Sequence, residues 1–155
     1  MRFPLAWYLT WTTYATWLHG DERGSHTRSR YLQPDPGLEA EVRGELVEQP
    51  VYLSPAQRLI IEKTIPNECQ SQGWTLHAVN ARTNHVHAVI SANRDGSFLR
   101  SRLKALTSAA LSDDAQLPMA GSHGRRKWWT EKGNIVEVDS EKALDEIVIY
   151  VRDLQ

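Results

Sequence analysis

The run His85-Val86-His87-Ala88-Val89-Ile90 constrains this chain more than any other stretch. Its length and its content of apolar and β-branched residues read as a buried strand. Side chains alternate between faces along a strand, so His85 and His87 share one face while Val86, Ala88 and Ile90 point into a core on the other. Residues 74–81 have the same character, and only Arg82-Thr83-Asn84 separates the two runs, which predicts a hairpin. Two imidazoles fixed side by side can share one divalent ion and leave open positions for substrate oxygens. The same spacing also suits packed or solvent-facing histidines, so the choice rests on the rest of the chain.

The other elements follow from pattern and punctuation. Residues 5–14 are rich in aromatic and β-branched residues and predict a first strand, with Trp7, Leu9 and Trp11 on one face and Tyr8 and Thr10 on the other. Residues 18–37 form a long polar loop with five Gly or Pro residues, a length that is usually functional or mobile. Residues 39–48 are acidic and suit a short solvated helix. Ser54-Pro55 opens a helix that Pro66 is expected to end or restart and Gly73 to close. The apolar spacing of residues 97–111 predicts an amphipathic helix, followed by a second loop over 113–124. Residues 127–130 and 135–138 read as short strands turning at Lys132-Gly133-Asn134, and Ser140 caps a last helix. Tight turns between successive strands predict an α+β, ferredoxin-like sandwich: an antiparallel or mixed sheet, helices on one face and a C-terminal helix bearing Tyr150.

At 155 residues the chain fits one domain, 1–155, able to bury a core without staples. The single cysteine, Cys69, excludes a disulfide framework and a cysteine-based zinc site, and reads as an inert buried thiol. The N-terminal segment resembles neither a secretory signal nor a membrane span, so a cytoplasmic protein with no membrane association is expected. A net charge of −1 argues against general polyanion binding. Its distribution is uneven, however: Arg82, Arg94, Arg100, Arg102 and Lys104 collect around the His run and just after it, and Arg125-Arg126-Lys127 precedes Trp128-Trp129. Folded together, these could form a positive face with aromatic residues for base stacking, or simply a solvated helix and core tryptophans.

Tyr150 lies in the apolar stretch Ile147-Val148-Ile149-Tyr150-Val151. Such a tyrosine is commonly a core residue with its hydroxyl at the rim. Beside a metal, a phenol can instead serve as a nucleophile, because a cation favours the phenolate.

Four segments together resemble the HUH-type single-tyrosine transposases, specifically the REP-associated tyrosine transposases (IS200-like). They are residues 9–24, from Leu9-Thr10-Trp11-Thr12 to Asp21-Glu22-Arg23-Gly24; Asn84-His85-Val86-His87; Trp128-Trp129-Thr130-Glu131-Lys132-Gly133; and Tyr150-Val151-Arg152 with Gln155. They span nearly the whole chain in the family's order. The resemblance implies a strand transferase acting on single-stranded DNA at hairpins formed by palindromic elements. His85 and His87 would bind Mg²⁺ or Mn²⁺, Tyr150 would form a 5′-phosphotyrosine link, and no nucleotide cofactor would be needed. It also implies a homodimer, a bacterial nucleoid-associated location, and hairpin contacts from Arg94, Arg100, Arg102, Lys104, Arg125, Arg126 and Lys127.

In many relatives a third metal ligand is a glutamine four residues after the tyrosine. Here that position is Leu154, and Gln155 stands about 140° round the helix from Tyr150. Gln155 is the expected third ligand if the helix end unwinds, and Asp153 is the fallback. Two other readings remain open at this stage. One is a non-catalytic or domesticated hairpin-binding module of the same fold. The other is a metal hydrolase combining the His pair with Asp21 or Glu22. His77 is read as a packed surface residue, and His19 and His123 are left without a role.

Overall fold

The computed structural model describes residues 3–15, 50–115 and 127–153. The predicted loop over 18–37, the helix over 39–48, the basic pair Arg125-Arg126 and the terminal Gln155 lie outside these residues, as do His19, Asp21, Glu22 and His123. Four strands, β1 (Ala6–Thr12), β2 (Thr75–Ala81), β3 (His85–Ser91) and β4 (Asn134–Val138), form one sheet in the order β2-β3-β1-β4. Every neighbouring pair is antiparallel. This is the split βαβ arrangement of a ferredoxin-like sheet, in which each helical crossover skips a strand. Helices α1 (Pro55–Gln72) and α2 (Gly96–Asp114) supply the two crossovers, and α3 (Glu141–Asp153) follows β4.

Strand alternation divides the sheet into two different faces. Trp7, Leu9 and Trp11 from β1 and Val86, Ala88 and Ile90 from β3 pack with Ile61, Ile65, Leu99, Leu103 and Leu111 from α1 and α2 in the larger core. On the opposite face, Ala6, Ala78, Val89 and Val138 pack with Val151 of α3 in a smaller one. The two crossover helices thus share one face as expected, and the tyrosine-bearing helix covers the other. Its residues Ala143, Leu144, Ile147, Val148 and Val151 recur at helical spacing and form the stripe that docks.

Local signals explain the helix ends. The Ser54 hydroxyl accepts from the Gln57 backbone N–H and the Gln57 side chain accepts from the Ser54 N–H, a complete capping box before Pro55. Gly73 ends α1 in the left-handed conformation at φ 76°, and the Trp74 N–H returns to the Cys69 carbonyl. Pro66 neither ends nor restarts α1, contrary to the reading of the sequence. Its cost, about 3 kcal/mol in a helix interior, is outweighed by the seam Ile61, Ile65 and Cys69, which spans the proline and is buried throughout.

Residues 127–130 do not form a full strand. Thr13 and Trp129 make a single antiparallel bridge, with the Tyr14 N–H donating to the Trp128 carbonyl and the Thr130 N–H to the Thr12 carbonyl. Trp128 and Trp129 are buried in the larger core, and their indole N–H groups donate to Ser112 Oγ and the Lys104 carbonyl. They are therefore framework rather than stacking platforms. Residues 51–53, left unassigned from the sequence, run beside the hairpin tip and bury Val51 and Leu53, the latter through an N–H bond to Thr83 O. No helix among the described residues is long and apolar enough to cross a membrane.

The turn into β4 uses Lys132 at φ 64° and Gly133 at φ 139°. A Cβ on Gly133 would collide with the Thr10 carbonyl. Gly133→Ala is expected to destabilise the fold by about 1–3 kcal/mol, read as a lower urea midpoint with an unchanged slope.

Candidate active site

β3 is paired on both edges, so its outward side chains have defined neighbours. His87 lies opposite Thr10 of β1 on one side and Asn80 of β2 on the other, and His85 lies opposite Thr12. Both imidazoles project from the α3 face, with ring centroids 4.5 Å apart and planes nearly perpendicular. His87 is the more deeply placed, only 5% exposed. The shared face predicted from the sequence is present.

The hydrogen bonds of the two rings have a common pattern. His85 Nδ1 is 2.9 Å from Asn84 Oδ1. A carbonyl oxygen can only accept, so Nδ1 carries the proton and Nε2 keeps its lone pair. His87 Nδ1 is 2.7 Å from the Tyr8 hydroxyl, and His87 Nε2 is buried with no hydrogen-bond partner among the described residues. Burial first, and then the positive charge of Arg82, hold the His85 imidazole down to about 4. His87 is held to about 4 by burial, by His85 and by Arg82 in turn. Both rings are thus neutral at physiological pH, the state in which imidazole can coordinate a metal.

The sheet register also explains how Tyr150 reaches this site. Asn80, the cross-strand partner of His87, donates from Nδ2 to the Val151 carbonyl at 2.8 Å. One residue on, Arg152 Nη2 donates to the His77 carbonyl at 3.3 Å. These bonds tether the last turn of α3 to β2, while the Val151 side chain is fully buried. Tyr150, beside Val151, is 50% exposed, and its ring lies 6.3 Å from that of His87. The tyrosine and the His pair are therefore neighbours within a single chain.

The site fits a divalent ion in part. Two neutral imidazoles, one with an orphaned buried nitrogen, match a metal-binding pair. No group of three or more His, Cys, Asp or Glu among the described residues is placed to hold a metal, so Asp153 does not complete the set. The carboxylate cluster that a metal hydrolase needs is likewise missing among them. His77 is engaged elsewhere: its Nε2 meets Ser91 Oγ at 2.7 Å, and Ser91 in turn donates to the Leu5 carbonyl.

Among the described residues, the basic side chains do not form one patch. Arg100 donates to Gly133 O, and Lys104 Nζ donates to Thr130 O and Lys132 O at 2.7 and 2.6 Å. Burial above all, with Arg100 and Lys127 nearby, lowers the Lys104 ammonium to about 8. These residues sit at the His85 end of the sheet but arise from the helix on the other face. Arg102 is paired with Glu68 at 2.6 Å. Arg94 stacks on the Phe98 ring, 3.7 Å from its centroid, and its carbonyl accepts from Trp7 Nε1 at the opposite end of β1, about 17 Å along a strand from Thr12. The sequence reading gave no role to Tyr8 or Asn80: the alternation put Tyr8 on the face away from Trp7, but only the strand register brings both to His87.

The unfolded chain takes up protons on histidine near pH 6.5, whereas the folded chain keeps these two rings neutral down to about pH 4. Stability should therefore fall as the pH drops from about 6.5 towards 4 and should not respond to these groups above that range. In metal-free buffer, the urea midpoint should decline over this window, and the His85→Asn/His87→Asn variant should decline less.

No protein-family model and no curated protein matches the chain. Solved structures do. A Deinococcus radiodurans R1 protein assigned as a transposase aligns at 13% identity and a TM-score of 0.49, covering 99% of this chain and 92% of that one. A REP-associated tyrosine transposase bound to a REP hairpin aligns at 11% identity and a TM-score of 0.53, covering 97% of this chain and 68% of that one. Together with the sheet order and the helix carrying Tyr150, this second likeness shows that the chain has the fold of a tyrosine transposase.

Proposed function

We propose that this protein is a single-stranded DNA transposase that cleaves and rejoins strands at hairpins through Tyr150. The observation that carries this reading is the meeting of a half-exposed tyrosine with two neutral, face-sharing histidines inside one chain. The likeness to a hairpin-bound tyrosine transposase supports it at the level of the fold.

Tyr150 Oη would attack the scissile phosphorus, displacing the 3′-oxygen and leaving the 5′-phosphate on the tyrosine. The phenolic proton leaves to solvent, which reaches this exposed ring, and the departing 3′-oxygen takes up a proton. One phosphodiester is exchanged for another, so no nucleotide is consumed. Attack by a different 3′-hydroxyl reverses the step and joins new strands. His85 and His87 would hold Mg²⁺ or Mn²⁺ through Nε2, with Gln155 as the proposed third ligand. When bound, such an ion supplies charge to offset that developing on the phosphoryl oxygens.

The hairpin phosphates would meet Lys127 and Arg100, the latter also bonded to Gly133 O, at the His85 end of the sheet; Arg125 and Arg126 precede Lys127 in sequence. Lys104 and Arg102 are committed to contacts within the chain, and Arg94 would serve only DNA that extends to the far end. The reading needs no dimer to bring the tyrosine to the His pair.

A covalent-adduct assay tests this directly. The protein is mixed with labelled single strands from the DNA flanking its gene, with Mn²⁺ or Mg²⁺, and run on a denaturing gel. A metal-dependent shifted band is expected, abolished by Tyr150→Phe and reduced at least about 100-fold by His87→Ala. A band that survives Tyr150→Phe overturns the role of that residue. Hairpin binding with no adduct under either metal would identify a binding module instead.

A further inference from the structure

His87 has two ring nitrogens in contrasting surroundings. Nδ1 meets the Tyr8 hydroxyl at 2.7 Å, while Nε2 is buried and unpartnered among the described residues. Tyr8 stands on β1 opposite Val89, one step along the same face from Thr10, which is the partner of His87. It therefore reaches His87 on the diagonal, and the two rings lie nearly parallel, 3° apart in plane. The phenol is partly buried against α3, where it is packed with the smaller core. Asn84 already does comparable work for His85, fixing the proton on Nδ1.

We propose that Tyr8 is a positioning residue: its hydroxyl oxygen accepts from His87 Nδ1–H and so presents the Nε2 lone pair to a divalent cation. This rests on the metal-holding role proposed above for the His pair. A phenol can act at Nδ1 in either sense. If its O–H donated, the imidazole proton would sit on Nε2, and that nitrogen could hold no metal. If its oxygen accepts, Nε2 is bare, and both histidines then offer the same nitrogen from the same face. Cation binding draws the Tyr8–His87 pair into the second arrangement. Without the phenol oxygen, the metal-bound form would leave a buried Nδ1–H without an acceptor, and the ring would lose the contact that sets its rotation.

Tyr8→Phe removes one oxygen and keeps the ring. In the full chain, Mn²⁺ affinity is measured by electron paramagnetic resonance for the wild type, Tyr8→Phe and His87→Ala. In parallel, the His87 tautomer in the wild type is read from ¹⁵N chemical shifts with saturating Mg²⁺, which needs no variant to fold. The expected result is binding abolished by His87→Ala, weakened about 10- to 100-fold by Tyr8→Phe, and a His87 ring protonated at Nδ1. Unchanged affinity in Tyr8→Phe, with His87→Ala still abolishing binding, overturns the role of Tyr8 and leaves the metal site standing. A His87 ring protonated at Nε2 in the Mg²⁺-loaded wild type also overturns it. Binding that ignores His87→Ala, or no binding by the wild type, removes the metal reading and this inference with it.

Discussion

Pairing on both edges of β3 determines where each side chain of the His strand can point, and the rest of the molecule follows from that restraint. A one-residue slip would exchange the faces and bury both imidazoles under α1 and α2. The register is held because Val86, Ala88 and Ile90 interleave with Trp7, Leu9 and Trp11 in the larger core. Those apolar residues are thus as necessary to the candidate site as the histidines, although none of them touches it.

The same register places Asn80 and Thr10 beside His87, and through Asn80 it reaches the backbone of α3. The tyrosine helix is held by a narrow apolar stripe and a few polar tethers, in contrast to the dense contacts of α1 and α2. Small residues at Ala6 and Ala78 line its bed. An element packed on a modest apolar area lies towards the low end of local stability. Under the proposed function, that suits a helix whose tyrosine would have to accept a strand and later release it.

Much of this arrangement was legible in the residues. The period-2 run over β3, the three-residue hairpin tip, the Ser54-Pro55 helix start and the amphipathic stripe of α3 are local signals, and each appears where the pattern puts it. Other features depend on partners distant in sequence. Pro66 looks like a helix end until the buried seam around it is known. Trp128-Trp129 after three basic residues looks like a stacking surface, but the bridge to Thr13 turns both rings inward. Lys104 looks like a free surface cation and instead holds two turn carbonyls. Tyr8 and Asn80 carry no motif at all, since only strand pairing brings them to His87. The face taken by α3 was equally hidden, because an amphipathic stripe records that a helix docks and not on which side.

The two cores have no buried residue in common. One holds the sheet to its crossover helices; the other seats the tyrosine beside the histidines. Substitutions that reshape the side carrying the histidines can therefore accumulate without repacking the side that holds the crossover helices. A lineage built on this plan can change the residues around the histidines while keeping the scaffold that lets it exist, and the same fold is found at 11% identity.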